Sequence, residues 1–398
     1  MANELDEHRI ALARNFEQLA DRVEALDYRG WEFDDFLSSP VVRLLTGGSL
    51  LAQRIAIQVG ERCPINLRPV LRVPRLPSAK ANGFFARGYL YAHRGTGAKR
   101  WLERATALLD RLLDSTVPGY AGHAWGNAFD FASRAGFFPA GLPTIVWTAH
   151  ISKAFALGYE QTGDARYADA VVGSARFILT DLERHEDRDG VCIAYAPGRP
   201  SLVHNSNLLG AVALLRAWRM TDDPELLDVA LRAFAWSRAH QRPDGSWPYG
   251  VGPEWSWVDN LHTAYVLDCL REGQLLAGED ATPTATIAST YDYWRRTFFL
   301  GDGAPRYYHN RTFPLDIQCA AQAIATLATA SELDPDAPNV ARRVLNWTNT
   351  HLRRPDGFYG YRRGRYFANR LASMHWGQST MLEALGLLLD HSRVEAEA

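Results

Sequence analysis

The chain has 398 residues, of which 47% are hydrophobic and 22% are charged, a composition typical of globular proteins. Its formal net charge of −2 gives no electrostatic reason to expect binding to nucleic acid or to an anionic membrane. Aromatic residues are frequent, with 12 Trp, 16 Tyr and 17 Phe, whereas only three of the 43 basic residues are Lys.

The sequence also bears on cellular location and on cofactors. It has no run of about 18 apolar residues, so we predict no transmembrane helix. The N-terminal stretch MANELDEHRIALARNFEQL is acidic and amphipathic, unlike a secretory signal, and this favours a cytoplasmic protein. The cysteines are far apart and form no CxxC pair, so we expect no disulfide framework, no zinc site and no cofactor. They are Cys63, Cys192, Cys269 and Cys319.

Apolar residues recur at three- and four-residue spacing along most of the chain, which predicts an all-α protein. In chain order, we predict an amphipathic helix over 3–25, a helix over 40–58 and a helix within 79–97. Further amphipathic helices are predicted over 100–114, 164–183, 223–240 and 338–352. No alternating run is long enough for a substantial sheet.

A repeat accompanies this helical pattern. Five segments begin with polar residues and continue as a helix rich in small apolar residues, and a sixth copy fits around 79–97. Their anchor residues are spaced by 54, 58, 56 and 57 positions. The anchors are His150, His204, His262, Gln318 and His375.

An (α/α)6 toroid of six helical hairpins explains this repeat. Helices that are apolar on most faces belong inside, and helices with one apolar stripe belong outside. The last inner helix lacks an outer partner, which residues 3–25 can supply by closing the ring. We therefore predict one toroid domain over 1–398, with 1–78 forming the closing helix and a lid-like segment.

In such a ring, the polar starts of the inner helices gather at one mouth, together with the long aromatic loops. Carboxylates beside aromatic planes suit a sugar site, because rings stack on pyranose faces and carboxylates act on the glycosidic bond. Asp35, Asp130 and Asp259 are the candidate catalytic acids and bases. Structural alternatives stay open: Asp259 can be a helix N-cap, and Asp130 can pair with Arg134 to order its loop.

The candidate substrate-binding residues fall on the same loops and helix starts. Histidine, asparagine, arginine and glutamine would hold hydroxyl groups, and the aromatic residues would form stacking subsites. They are Arg68, Trp125, Arg134, His150, His204, Asn205, Asn207, Trp247, Tyr249, Trp257, His262, Asp316, His375, Trp376 and Gln378.

Two resemblances accompany these patterns. The stretches QRPDGSW and LHTAYVLDCL resemble the toroid repeat of prenyltransferases and triterpene cyclases. The DxDD motif of the class II cyclases and the Cys zinc ligand of the protein prenyltransferases are absent, so this resemblance extends to the fold alone.

The second resemblance covers nearly the whole chain. The succession WEFDDFLSSP, PINLRP, AWGNAFDFASRAGFFPAGLPT, VHNSNLLGA and QRPDGSWPYG…DNLHTAYVLD resembles a bacterial family of toroid proteins encoded among polysaccharide genes. That family is similar in architecture to six-hairpin glycosidases, uronate lyases and the helical domain of glucuronyl epimerases. The resemblance implies a carbohydrate-active enzyme. The excess of Arg suits an actinobacterial source, for which an intracellular methylmannose-polysaccharide hydrolase is one specific hypothesis.

Several functions follow as hypotheses. The first is a glycoside hydrolase that cleaves an oligo- or polysaccharide with a pair of carboxylates at the mouth. The second is a polysaccharide lyase or uronate C5-epimerase, in which His204, Asn205, His262 or a tyrosine would serve. The third is a non-catalytic glycan-binding or assembly protein, and a terpenoid-handling toroid is a fourth. We expect neither nucleic acid nor a membrane as partner, and an oligomer is compatible with the sequence.

Overall fold

The structure, a computed structural model, describes residues 2–133 and 136–397. Twelve of the fourteen α-helices in the described residues alternate between an inner and an outer ring, and the other two, Pro40–Thr46 and Leu50–Arg62, lie outside both rings. In chain order the fourteen helices are α1 Ala2–Glu24, α2 Pro40–Thr46, α3 Leu50–Arg62, α4 Ala79–Thr96, α5 Lys99–Asp114, α6 Ile145–Thr162, α7 Ala165–Thr180, α8 His204–Thr221, α9 Pro224–Ala239, α10 Asn260–Ala277, α11 Thr284–Phe298, α12 Ile317–Ala328, α13 Ala337–His351 and α14 Thr380–Glu397.

The two rings differ in burial as the repeat predicts. The inner helices α4, α6, α8, α10, α12 and α14 pack against their neighbours around the ring. In α8, every residue from His204 to Ala217 is buried. In the outer helix α5, the buried residues form one stripe, Trp101, Ala105, Leu108, Leu109 and Leu112. The (α/α)6 toroid is therefore confirmed.

Helices α4 and α14 pack side by side and close the inner ring. Their backbones approach so closely that a Cβ at Gly386 would lie 2.3 Å from the carbonyl oxygen of Gly88. In the outer ring, α1 fills the last position, and its Phe16 packs edge-on against Trp101 of α5 at 5.1 Å. The N-terminal helix thus closes the ring, as the missing outer partner predicts.

Asp-Gly turns brace consecutive hairpins. Gly245 has φ +86°, and a Cβ there would lie 2.3 Å from the carbonyl oxygen of Ser289 on the next outer helix, α11. Gly357, at φ +87°, packs less tightly against α1, since a Cβ there would lie 3.0 Å from the Gln18 side chain. Only glycine combines a positive φ with so close an approach. The turns also show that α1 occupies an outer-helix position.

The predicted helix over 40–58 is instead two helices. Gly47 and Gly48 separate α2 from α3, and the Ser49 side chain accepts a hydrogen bond from the backbone N–H of Ala52 to cap α3. The helical spacing of apolar residues continues through this break, which is why the sequence pattern predicts a single helix. A small core that includes Phe36 and Ile57 joins this segment to the hairpin of β1 and β2.

The strands are short, as expected. They form hairpins or bridges between helices and contribute no separate layer. They are β1 Phe131–Ser133, β2 Gly136–Phe138, β3 Arg184–Asp187, β4 Gly190–Ile193, β5 Leu315–Asp316, β6 Arg362–Arg363 and β7 Ala368–Asn369. Among the described residues, no helix is both long and apolar enough to cross a membrane.

Candidate active site

Aromatic and polar side chains from several inner helices meet inside the ring. His150 of α6 contacts Phe84 of α4 and Tyr265 of α10, with ring centroids 4.9 and 5.1 Å apart. His375, in the turn Met374–Ser379 that precedes α14, contacts Trp147 of α6 at 4.7 Å and stacks on Trp376 at 4.4 Å. These contacts bring aromatic and polar side chains of the inner helices together at the centre of the ring, and we call this region the central cavity.

Several polar atoms in this region are buried without a hydrogen-bond partner in the described part of the chain. Buried polar groups are normally paired, so a group of unpaired ones marks a place for a polar ligand or water. They include Asp34 Oδ1, Lys80 Nζ, His150 Nε2, Asn205 Oδ1 and His375 Nε2.

The direction of Asn205 follows from helix geometry. Asn207 faces outward, because its side-chain amide donates to the Ala233 carbonyl and the Ser237 hydroxyl of α9, at 2.9 and 3.0 Å. Asn205 lies two residues earlier, about 200° away around the helix, and therefore faces the axis of the ring. Arg216 lies on the same inward face, and its Nε donates to Glu272 of α10 at 2.7 Å.

Lys80 introduces an unusual cation into the cavity. The side chain is buried, and Nζ lies 3.5 Å from the centroid of the Trp376 ring. Burial, reinforced by the positive charge of Arg87, holds the pKa of this amine well below its ordinary value. Burial and the Lys80 charge likewise lower the pKa of His150 and His375, so both imidazoles are neutral at pH 7.

An aspartate–histidine pair lies at the start of α10. Asp259 caps the helix by accepting from the His262 backbone N–H at 2.9 Å, and its Oδ2 lies 2.7 Å from His262 Nδ1. Trp257 Nε1 donates to the same oxygen at 2.9 Å. This carboxylate favours the tautomer with a proton on Nδ1, which leaves Nε2 as an acceptor. The predicted N-cap at Asp259 is therefore confirmed, and the same carboxylate contacts the imidazole of His262.

The segment before α2 contributes three buried acids with different partners. Glu32 caps the final inner helix by accepting from the Ser373 hydroxyl and the His375 backbone N–H. Asp35 pairs with Arg68 at 2.7 Å and accepts from the Glu32 backbone N–H at 2.8 Å. Burial, assisted by the neighbouring Asp35 charge, raises the pKa of Asp34 to about 7. Within the described residues, Asp34 Oδ1 has no hydrogen-bond partner, unlike the side chains of Glu32 and Asp35.

Tyrosines surround the mouth. Tyr249 stacks on Trp257 at 4.5 Å and packs edge-on against His262 at 4.6 Å. Burial and the charge of Asp34 raise the pKa of Tyr195 to about 12. Tyr307 and Tyr361 occupy the corresponding places after later Asp-Gly turns, and burial raises the pKa of both hydroxyls. These hydroxyls stay protonated at pH 7 and can donate hydrogen bonds.

Deeper in the ring, ion pairs form the floor of the cavity. Arg87 of α4 pairs with Glu383 of α14 at 3.0 Å. Glu272 of α10 binds both Lys153 of α6, at 2.9 Å, and Arg216 of α8. Three basic side chains therefore face two carboxylates, so these ion pairs make the floor polar with a small excess of positive charge.

Five predicted binding residues instead pack the toroid. Trp125 and Trp247 are fully buried, and their indole N–H groups donate to the Leu112 carbonyl at 2.9 Å and to the Thr290 hydroxyl at 3.0 Å. His204 faces outward against Trp236, at 5.1 Å. We assign these side chains to packing between helices rather than to a substrate, and Asn207 and Gln378 join them, because their amides bond to backbone groups.

The remaining predicted charged residues are also engaged. Arg68 binds Asp35 and the Glu32 carbonyl rather than Asp316. Asp316 caps α12 and accepts from Arg362 at 2.9 Å. Asp130 accepts from the Ala140 backbone N–H at 2.9 Å and lies 3.4 Å from Arg43, on the hairpin beside α3.

The predicted partner of Asp130, Arg134, lies outside the described residues. The structure therefore brings together His150, Asn205, His375 and Trp376 in the cavity, and Tyr249, Trp257, Asp259 and His262 at its mouth.

Sequence reasoning missed two residues of this site. Lys80 lies at the start of an inner helix, the position that carries the anchor in the other repeats, and it is one of only three lysines. That combination could have identified it. Asp34 adjoins the candidate Asp35 in the sequence, and no sequence signal shows which of the two carboxylates is paired with Arg68.

Comparison with solved structures identifies similar folds. Cellobiose 2-epimerase from Bacillus thermoamylovorans aligns with 80% of this chain and 90% of its own, with a TM-score of 0.63 and 13% identity. An α-mannanase of glycoside hydrolase family 76 from Bacteroides thetaiotaomicron aligns with 80% of this chain and 88% of its own, with a TM-score of 0.62 and 13% identity. An unsaturated glucuronyl hydrolase specific for heparin aligns with 79% of this chain and 87% of its own, with a TM-score of 0.56 and 15% identity.

No protein-family model matches the sequence, and no curated protein matches it. The similarity to solved structures therefore rests on architecture. At 13–15% identity it shows a shared toroid fold, which agrees with the resemblance to six-hairpin glycosidases.

Proposed function

We propose that this protein is an enzyme that binds a saccharide in the central cavity and transforms it by acid–base catalysis. The observation that carries the proposal is the group of buried, unpaired polar atoms between aromatic rings. Sugar hydroxyls would satisfy these atoms, and the Tyr265 ring would pack on a pyranose face. The similar folds of an epimerase and two glycoside hydrolases support the same substrate class.

The geometry favours proton transfer at a sugar carbon. His262, oriented by Asp259, would accept the proton at Nε2, and a neighbouring neutral imidazole or tyrosine would return one. Developing negative charge on the sugar oxygen would be stabilised by hydrogen bonds from Lys80 or the mouth tyrosines. An epimerase and a lyase both use this first step, and they differ in whether the carbon is reprotonated or a bond is eliminated.

A glycoside hydrolase remains the second candidate, and Asp34 favours it. A carboxyl with a pKa of about 7 can protonate a leaving oxygen at neutral pH. A second carboxylate is harder to find, because Asp35 is paired with Arg68 and Asp259 with His262. In this reaction, His262 rather than a carboxylate would activate the water.

Product analysis distinguishes these reactions. The full chain is first screened on a glycan array, and the best ligands are then incubated with it in D₂O and followed by proton NMR and ultraviolet absorbance. Deuterium at a sugar carbon indicates an epimerase, an absorbing unsaturated end indicates a lyase, and new reducing ends alone indicate a hydrolase. Each reaction is expected to disappear in His262→Gln. Binding without any change would contradict the catalytic proposal.

A further inference from the structure

The helical pair α2–α3 exposes an unusual amount of apolar surface. Nine of the fourteen large hydrophobic side chains that are exposed among the described residues lie between Val41 and Val70. Leu44 and Leu45 are 85% and 77% exposed, and Leu51 is 66% exposed. Contiguous apolar surface of this kind marks a place of interaction rather than ordinary surface.

These side chains form an ordered face. Leu51, Ile55 and Val59 follow each other at four-residue spacing on α3 and form one outward stripe, while Ile57 packs into the small core beneath. The leucines of α2 adjoin the Gly47–Gly48 turn at the tip of the pair. The pair is therefore amphipathic, with its second apolar face left uncovered.

The charge around this face is positive, although the whole chain carries −2. Residues 39–75 contain six arginines and Glu61 as their one acidic residue. Arg68 is buried against Asp35, and Arg43 lies 3.4 Å from Asp130, so the positive charge of the surface comes from the other four arginines. Glu61 is itself paired with Arg362 at 2.6 Å. Arg62 and Arg72 are exposed, and no ion pair to either is formed within the described chain.

The hairpin of β6 and β7 extends the same surface. It is fixed to the end of α3 through Arg362 and through Asn369, whose amide donates to the Glu61 carbonyl at 3.0 Å. Its tip exposes Tyr366 by 83% and Phe367 by 58%, between exposed arginines. Aromatic and basic side chains beside an apolar face are typical of proteins that bind at the membrane–water interface.

We propose that α2, α3 and the β6–β7 hairpin dock on a lipid bilayer that carries anionic headgroups. The leucines enter the interface, and the arginines bind headgroup phosphates. A second copy of the chain fits less well, because a two-fold contact through this face would oppose two positively charged surfaces. This inference does not depend on the reaction proposed above.

Vesicle flotation of the full chain tests the proposal, with vesicles of phosphatidylcholine alone or mixed with phosphatidylglycerol. We expect binding to the mixed vesicles that weakens with salt. The combined change Leu44→Ser, Leu45→Ser and Leu51→Ser should abolish it. Leu275→Ser is the matched control, because Leu275 is 84% exposed at the far end of α10 and should bind as the wild type does.

A second variant keeps the test decisive if the leucine variant folds poorly. Arg62→Gln with Arg72→Gln should weaken binding to the anionic vesicles roughly fivefold for each arginine. Binding that is absent, or unchanged in both variants, would overturn the proposal. A wild-type dimer in light scattering that dissociates in the leucine variant would also overturn it, because a second copy would then cover this face.

Discussion

Asp34 shows how a single buried residue links stability to chemistry. Its folded-state pKa of about 7 lies above the ordinary 3.8, so the folded protein holds a proton that the unfolded chain releases as the pH rises. Folding stability therefore falls between about pH 4 and pH 7. Asp34→Asn removes this loss, and we expect its free energy of unfolding to exceed that of the wild type by ~2–4 kcal/mol at pH 8.

Urea denaturation at pH 4 and pH 8 measures this difference, which should nearly vanish at pH 4. Asp114→Asn, at an exposed position at the end of α5, is the control and should follow the wild type at both values. An equal pH dependence in the wild type and Asp34→Asn would show that this carboxyl does not hold its proton near neutral pH.

Asp259 is expected to act through His262. Asparagine is about as good an N-cap as aspartate, but its amide nitrogen cannot accept the hydrogen bond from Trp257 Nε1, so Asp259→Asn should lower the free energy of unfolding by about 1–3 kcal/mol. The loss of the carboxylate removes the partner that fixes the histidine tautomer, and we expect kcat to fall by about 10²–10⁴. Steady-state kinetics on the substrate found by the array measures this effect.

The corresponding change at the outer-helix N-cap, Asp164→Asn, is the control and should leave kcat unchanged. A normal kcat in Asp259→Asn would exclude His262 as the oriented base.

The difficulty of predicting binding residues from sequence is clearest in two neighbours. His204 and Asn205 both begin an inner helix, yet a step of about 100° around the axis turns the histidine outward and leaves the amide facing the cavity. The repeat identifies where the inner helices begin, but it does not determine their rotation. Side-chain partners from distant loops, such as Arg68 for Asp35, are likewise absent from the local pattern.

At the scale of elements, the Asp-Gly turns should contribute to stability through close packing. In Gly245→Ala, the new Cβ is forced toward the Ser289 carbonyl, and alanine disfavours the positive φ. We therefore expect the free energy of unfolding to fall by ~2–4 kcal/mol. Gly97→Ala is the control, because Gly97 also has a positive φ but has open space around it. The Gly97→Ala variant should lose only ~1 kcal/mol of its free energy of unfolding. Equal losses in thermal unfolding would contradict the packing role.

The order of helices was predictable because burial alternates along the chain. Helices that are apolar on most faces and helices with one stripe have different sequences, so the inner and outer rings could be separated before the structure was known. The break between α2 and α3 was not predicted, since Gly47 and Gly48 interrupt a periodicity that continues beyond them.

At the scale of the whole molecule, ring closure brings distant segments to one mouth. Glu32, near one end of the chain, caps the turn at His375, near the other. This contact assembles the cavity from both termini. Although the overall charge is −2, residues 39–75 contain six arginines and one acidic residue. Only the folded structure shows that the apolar side chains of this segment face outward.

The unpaired polar side chains inside the ring are proposed to form a saccharide site. The most direct measurement is the affinity of the best array ligand for His375→Ala and for His204→Ala, by calorimetry, with stability measured alongside. Both histidines are buried, and neither Nε2 has a hydrogen-bond partner in the part of the chain that the structure describes, but His375 faces the cavity and His204 faces the outer ring. We predict a Kd at least about tenfold weaker for His375→Ala, and one within about twofold of the wild type for His204→Ala. Equal effects of the two changes, or none for His375→Ala, would contradict the account.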